Sequence, residues 1–427
     1  MEENRTEFPS SNATALVDEV ESELPQLEEE DAEKIIILED EGGKEQPEDD
    51  LDIDEVAEDA QSSEPRRVKD DAAVVLRGHT SETLAVAASP INRNILISGG
   101  MDDIGIIWDI ELQTILAKVD GTKESVSTVS FSQDGNYAAC GSENGAISIV
   151  FMNGSRPEPS VLEGPSDAIN FFSWHPKGPV LLAGSSDTVA YMWNVVKGTF
   201  MAAFAGHEDA ITCGSFTADG KLVVTASRDS SVRVWSPTSA STLLRIQLGL
   251  ASLGSSFHNA DIYCMAVGTA DTSASMLIAS GCAAGDVFVT HRESGQVVAQ
   301  LPRHEGGVES IAFAPQGIQL VLLATAGADG VIRIWDMENS TERCKFLHGG
   351  VVSKVVWHPH KPLIASGSSD GTIMVWNFLS GQQACRFEGH TEFVSDVCFA
   401  GDNNFIASTS GDGTVRLFDL RKELSKA

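Results

Sequence analysis

The 427-residue sequence predicts an all-β fold, an eight-bladed β-propeller with a disordered acidic N-terminal tail. Three observations predict it: a strand motif that returns at one phase, a solitary strand ahead of its first copy, and an acidic excess concentrated before that strand.

The motif is clearest in residues 348–377, HGGVVSKVVWHPHKPLIASGSSDGTIMVWN. Two short apolar runs, a Ser-Ser-Asp-Gly turn and an alternating run ending at Trp376 are the pattern of consecutive antiparallel strands. So few strands cannot bury both faces, and the unit needs neighbours like itself. Phased on Trp376, it returns at Trp108, Val150, Trp193, Trp235, Thr290, Trp335 and Phe418, giving eight copies spaced by 42, 43, 42, 55, 45, 41 and 42 residues. The long interval holds the irregular run 249–256. A period near this length closed by Trp-Asp or Trp-Asn, as at Trp108-Asp109, Trp193-Asn194, Trp335-Asp336 and Trp376-Asn377, resembles the WD repeats of β-propellers.

Strand 73–77, followed by Gly78-His79, has no preceding blade in sequence. It is predicted to complete the eighth blade as its outer strand, tying the chain ends together and removing free sheet edges. The other outer strands are placed near residues 114–119, 160–162, 199–204, 243–247, 296–301, 343–347 and 383–387. Length alone suggests two or three domains, but a closed array is one unit, so the predicted division is a tail over 1–70 and a propeller over 71–427.

The tail dominates the charge. Of the net −33, residues 1–65 contribute −22, from 25 Asp and Glu against Arg5, Lys34 and Lys44, leaving −11 for residues 66–427. Arg66, Arg67 and Lys69 mark the change in charge where the tail meets the fold. Acidic runs with few aromatics cannot bury enough apolar area to offset ordering entropy, hence the expectation of disorder. Two readings of the tail stay open: a solubilising segment, or a tethered acidic ligand or client-shielding arm whose Ile35-Ile36-Ile37-Leu38 island docks on a partner or on the propeller. A chain this acidic, with no basic stripe, repels phosphate, which argues against direct nucleic-acid binding and makes basic protein segments the natural complement. The start MEENRTEFPS has no basic n-region or apolar h-region, and no apolar run is long enough to span a membrane. The expectation is a monomer of the cytoplasm, with the nucleus as a second compartment. Seven cysteines without a close C-x-x-C pair read as reduced thiols.

Four positions recur and resemble chemistry: His79, Ser98, Asp102 and Trp108; His207, Thr225, Asp229 and Trp235; His304, Thr325, Asp329 and Trp335; His348, Ser366, Asp370 and Trp376. A Ser or Thr with His and Asp imitates a hydrolase triad, but one active site needs one set, and recurrence in several copies assigns them to scaffold. In WD repeats such residues form a structural tetrad that satisfies buried polar groups. The second copy (Thr122, Cys140, Asn144, Val150), the third (Pro165, Ala183, Asp187, Trp193) and the fifth (His258, Ser280, Ala284, Thr290) lack the set, and Phe418 keeps the aromatic without an N–H. These copies are expected on the looser side of the ring. His175, His358 and His360 occupy the turn after the first strand and read as turn residues, not metal ligands. No H-E-x-x-H, P-loop or G-x-S-x-G motif is present, so no enzyme activity, cofactor or metal is expected.

The third copy, from Trp174-His175-Pro176 to Tyr191-Met192-Trp193, followed by residues 211–214 and Asp219-Gly220-Lys221, resembles the angio-associated migratory cell protein family, which includes a fungal dedicated chaperone of a large-subunit ribosomal protein. The resemblance spans residues 73–420 and extends to an acidic tail with an Ile-rich island. It implies a non-enzymatic propeller whose acidic face captures the basic N-terminal segment of a nascent ribosomal protein during 60S biogenesis. The runner-up is a scaffold in signalling or cell migration. By repeat phase, the face bearing the Gly-His loops displays Glu82, Glu124, Glu143, Asp167, Asp209, Asp261, Glu309, Glu392 and Asp396, with Tyr263 and Phe393 as aromatic anchors. As a ring around one mouth, these form a funnel for Arg and Lys.

Overall fold

The computed structural model describes residues 69–120, 122–154, 158–249, 256–268, 276–315, 318 and 320–424. The expectations for the tail up to residue 68, including the Ile35 to Leu38 island, lie outside the described residues, as does most of the run 249–256.

Among the described residues, thirty-two strands form eight antiparallel four-stranded sheets, the blades of a β-propeller. The sequence explains the order within a blade. Second strands such as Val223–Ser227 carry small or β-branched residues on both faces, third strands such as Val232–Trp235 set valines beside Arg233 and Trp235, and every residue in these two is buried. Outer strands such as Thr114–Val119 are mostly exposed. Eight apolar clusters are distinguished, and they lie between neighbouring blades: Cys264, Val289, Val308, Leu323 and Trp335, for example, join the fifth blade to the sixth. The core is therefore a ring of inter-blade layers, each meaningless without its neighbour.

Closure follows the sequence prediction. Val74–Arg77 pairs antiparallel with Thr414–Asp419, Val74 opposite Leu417 and Arg77 opposite Thr414, completing the blade whose inner strand is Val394–Ala400. The phase positions are equivalent in space as well. Trp108 faces Leu96, Val150 faces Ala138, Thr290 faces Ile278 and Phe418 faces Ile406, each on the third strand of its blade.

The inner strands Thr83–Ala88, Val126–Phe131, Ile169–Trp174, Ile211–Phe216, Ile262–Val267, Val308–Phe313, Val352–Trp357 and Val394–Ala400 ring the central channel. Each is irregular at its second residue, where the pairing register shifts. In five blades that residue bonds to the next blade's first inner-strand carbonyl: Ser127 to Ile169 at 2.9 Å, Asn170 to Ile211 at 2.8 Å, Thr212 to Ile262 at 2.7 Å, Ser353 to Val394 at 2.7 Å and Ser395 to Thr83 at 2.8 Å. Leu84, Tyr263 and Glu309 occupy the same place in the remaining blades and interrupt this belt.

Candidate protein-binding face

Two sets of connections cap the ring. One set, bearing the Gly-His loops, runs from each outer strand to the next inner strand and from each second strand to the third. By sequence these connections hold twenty Asp and Glu against Lys123, Arg228 and Arg303. The connections of the opposite set hold eight carboxylates against seven Lys and Arg. The excess of carboxylates over cations among the connections thus lies at one end of the channel.

The histidine networks add to it. In the first blade, His79 Nδ1 lies 2.8 Å from Asp102, its Nε2 lies 2.8 Å from Ser98 Oγ, and Trp108 Nε1–H donates to that hydroxyl at 2.7 Å. His207, Asp229, Thr225 and Trp235 repeat the set at 2.8 Å throughout, and His304, Asp329, Thr325 and Trp335 at 2.9–3.1 Å. Burial pushes these imidazoles below their ordinary 6.5 despite the opposing pull of the aspartates. Held toward the neutral form, they bring little positive charge to this end of the channel.

Two blades depart from the sequence reading. His348 does not close its network: Asp370 is 3.7 Å away and both ring nitrogens are buried without a hydrogen bond, although Trp376 still donates to Ser366 at 2.9 Å. In the complete blades the residue after the histidine, Thr80, Glu208 or Glu305, donates its N–H to the aspartate, which draws the carboxylate inward. At Gly349 an added Cβ would lie 2.4 Å from Asp370 Oδ2, and the Asp370 side chain is 23% exposed. Conversely, the eighth blade has a network that the sequence reading omitted, His390 with Asp412 at 3.0 Å and Ser408 at 2.8 Å, only the indole N–H being absent at Phe418. The signal was present: His390, Ser408 and Asp412 keep the spacing of His207, Thr225 and Asp229. In the fifth blade His258 retains Ser280 at 2.8 Å, but Ala284 supplies no carboxylate and Nδ1 is unpartnered.

Of the predicted face residues, Glu82, Glu124, Asp167, Asp209, Asp261, Glu392 and Phe393 stand in the loops leading to inner strands, and Glu143 in a loop after a second strand. Glu124, Glu143, Asp167, Asp209 and Glu392 are exposed, Glu82 and Asp261 half-buried, and Phe393 38% exposed. Backbone bonds fix their common level: Met101 N–H donates to Glu82 O, Ala283 N–H to Asp261 O and Gly411 N–H to Phe393 O. Asp396 is not a loop carboxylate. It lies on the inner strand of the eighth blade, accepts from Val86 N–H at 3.2 Å and Val397 N–H at 2.9 Å, and faces Lys354 Nζ at 3.9 Å. Its charge is engaged inside the ring. Tyr263, 41% exposed, and Glu309, half-buried, stand at the inner-strand irregularities, lower than the loops. Sequence phase also passed over Asp103, Glu163, Glu208 and Glu305, which sit in the same set of connections as the Gly-His loops.

His175 and His358 are turn residues that also bridge blades: their Nε2 atoms lie 3.2 Å from Gly220 O and Asn403 O.

The WD domain, G-beta repeat family model matches residues 72–109, 113–150, 157–194, 198–236, 295–336, 342–377 and 381–419. The chain belongs to this WD-repeat family. The stretch between the fourth and fifth matched segments is the blade in which Ala284 and Thr290 replace the network residues. Among WD-repeat relatives, the human angio-associated migratory cell protein is 25% identical over 366 residues, spanning 83% of this chain and 81% of that protein. This bears out the resemblance read from the third copy. Sqt1 of Chaetomium thermophilum, solved bound to the N-terminus of ribosomal protein L10, superposes with a TM-score of 0.72 at 21% identity, covering 82% of this chain and 100% of that one. Sqt1 of Saccharomyces cerevisiae superposes with a TM-score of 0.73 at 18% identity, covering 82% and 99%. The likeness to these solved propellers shows the fold.

Proposed function

We propose that this WD-repeat propeller is a non-enzymatic escort whose acidic face captures the basic N-terminal segment of a large-subunit ribosomal protein during 60S biogenesis, working in the cytoplasm and the nucleus. The observation that carries the reading is the charge difference between the two ends of the channel, twenty carboxylates against three cations at one and near balance at the other. A highly basic client must be kept from nucleic acid before assembly, and a counter-charged surface without cofactor or catalytic set is suited to that. The complex of Sqt1 with the L10 N-terminus supports a client of this class. The similarity to the angio-associated migratory cell protein favours a scaffold as the second reading.

Titration of an Arg/Lys-rich N-terminal peptide of a ribosomal protein tests the escort. Tight binding at low salt, falling steeply as salt rises, is expected, with weakening by Asp261→Lys and Glu124→Lys. Binding no better than that of a scrambled neutral peptide overturns it and leaves the scaffold.

A further inference from the structure

The belt of inter-blade hydrogen bonds fails at two consecutive blades, at Tyr263 and Glu309. Neither residue is a substitute of the same kind. Cys264 Sγ–H patches the first gap by approaching Val308 O at 3.2 Å, whereas a carboxylate at 309 has no proton to donate to Val352 O. Both side chains instead line a cavity of about 580 Å³, walled by the inner strands of the third to seventh blades. That size falls in the range of about 300–1,000 Å³ typical of ligand pockets.

The acidic and basic groups of this cavity do not pair with each other. Its acidic and basic lining residues are Glu309 and Lys354, and Lys354 Nζ lies 3.9 Å from Asp396 in the next blade. Among the described residues no hydrogen bond reaches the Glu309 carboxylate, and burial raises its pKa above the ordinary 4.5. The wall combines the apolar side chains of Phe171, Met265 and Trp357 with polar Asn170, Thr212 and Ser310. Above it the loop is low: Gly306 and Gly307 precede the strand, and a Cβ at 307 would come within 3.2 Å of Glu309 Oε1.

We propose that this cavity is a discrete subsite for one cationic group of the client, an ammonium or guanidinium on an apolar stem, seated against Glu309 with the Tyr263 ring at its mouth. The proposal rests on the escort reading and sharpens it, from a diffuse acidic ring to a pocket that counts one charge. The cation comes from the free α-amine of an N-terminus or from a Lys or Arg side chain.

Double-mutant cycles separate these sources and test the subsite. The full-length protein and its Glu309→Gln and Tyr263→Leu variants are titrated with one basic ribosomal N-terminal peptide, with its N-acetylated form, and with forms in which each Lys or Arg in turn is norleucine. One modification should cost wild type about tenfold in affinity and Glu309→Gln almost nothing further, the others weakening both proteins equally. Coupling to N-acetylation identifies the α-amine; coupling to one norleucine identifies that side chain. Tyr263→Leu should weaken the same contact, and urea midpoints confirm that both variants fold. Equal coupling at every cation, or none at any, overturns the subsite while leaving the escort reading intact. If wild type binds no form of the peptide at low salt, the escort reading falls and the subsite with it.

Discussion

Asp70 Oδ2 stands 2.5 Å from Nη1 of Arg416, a residue only 5% exposed, across 346 positions of sequence. The contact lies beside the closure: Asp71 N–H donates to Glu388 O and Ala73 N–H to Leu417 O, both at 2.8 Å. Burial pushes the Asp70 carboxyl up, but the Arg416 and Ala72 hydrogen bonds outweigh it and hold the group below its ordinary 3.8. Asp70→Asn should therefore lower stability by about 1–3 kcal/mol in urea unfolding, the carboxylate being partly exposed while its partner is buried. The loss should be largest near neutral pH and vanish in acid, because a depressed carboxylate stabilises above its unfolded pKa and ceases to do so once protonated.

Thr325 bonds both His304 and Trp335, so Thr325→Val should strand two buried groups and cost about 2–4 kcal/mol. Ser366 bonds Trp376 without reaching His348, so Ser366→Ala should cost about half as much. Chemical denaturation of the two variants checks the order; equal losses would mean that the His348 network closes in solution.

His348 keeps both ring nitrogens buried without hydrogen bonds. Replacing an unpaired buried polar ring with an apolar side chain removes a desolvation cost. His348→Leu should be neutral or stabilising by up to about 2 kcal/mol, whereas His207→Leu, which strands Thr225 and Asp229, should destabilise by about 2–4 kcal/mol. Thermal unfolding of the pair reads the difference as shifts of opposite or unequal size.

Burial lowers the pKa of His79, His207, His304, His348 and His390 below 6.5, takes His358 to about 4 and His258 to about 3. Below 6.5 the unfolded chain binds more protons than the native one, so stability falls with falling pH. Urea midpoints should be level above about pH 7 and decline toward about pH 5. A midpoint that rises on acidification would mean that the histidines are charged partners of their aspartates.

The two ends of the channel differ in charge, so reversals should differ in effect. Asp209→Lys, at the acidic end, should weaken a basic peptide several-fold at low salt, and Asp402→Lys, at the opposite end, should leave it unchanged. Equal effects of the two, read by fluorescence anisotropy, would point to net charge and not to a face.

The ring was largely legible in the sequence because a blade repeats its buried pattern. The Trp phase found eight third strands, and the outer strands predicted at 114–119 and 160–162 are Thr114–Val119 and Ser160–Leu162. What spacing could not reveal was whether a network closes. His348 to Ser366 to Asp370 has the same spacing as His390 to Ser408 to Asp412, yet the first is open and the second bonded. The difference lies in how the loop backbone passes the aspartate: Gly349 stands where the bonded blades carry Thr80, Glu208, Glu305 or Thr391, a change that the spacing of the three network residues does not register. The candidate face was legible as charge but not as depth. Asp396, read as a loop carboxylate, is the third residue of the inner strand Val394–Ala400, the place that Lys354 holds in Val352–Trp357.

The pairing of Val74–Arg77 with Thr414–Asp419 also sets a timetable. Of the strands among the described residues, the first to leave the ribosome is the last to find its partner, since almost the whole propeller must be translated before Thr414 emerges. Until then one blade lacks its third strand, its outer strand has no partner, and the inter-blade layers on either side of the seam are open to solvent. Such long-range pairing is slow and exposes sticky surface while it waits. The nascent propeller therefore has its own period of vulnerability, which ends only when the final strand clears the exit and locks the ring.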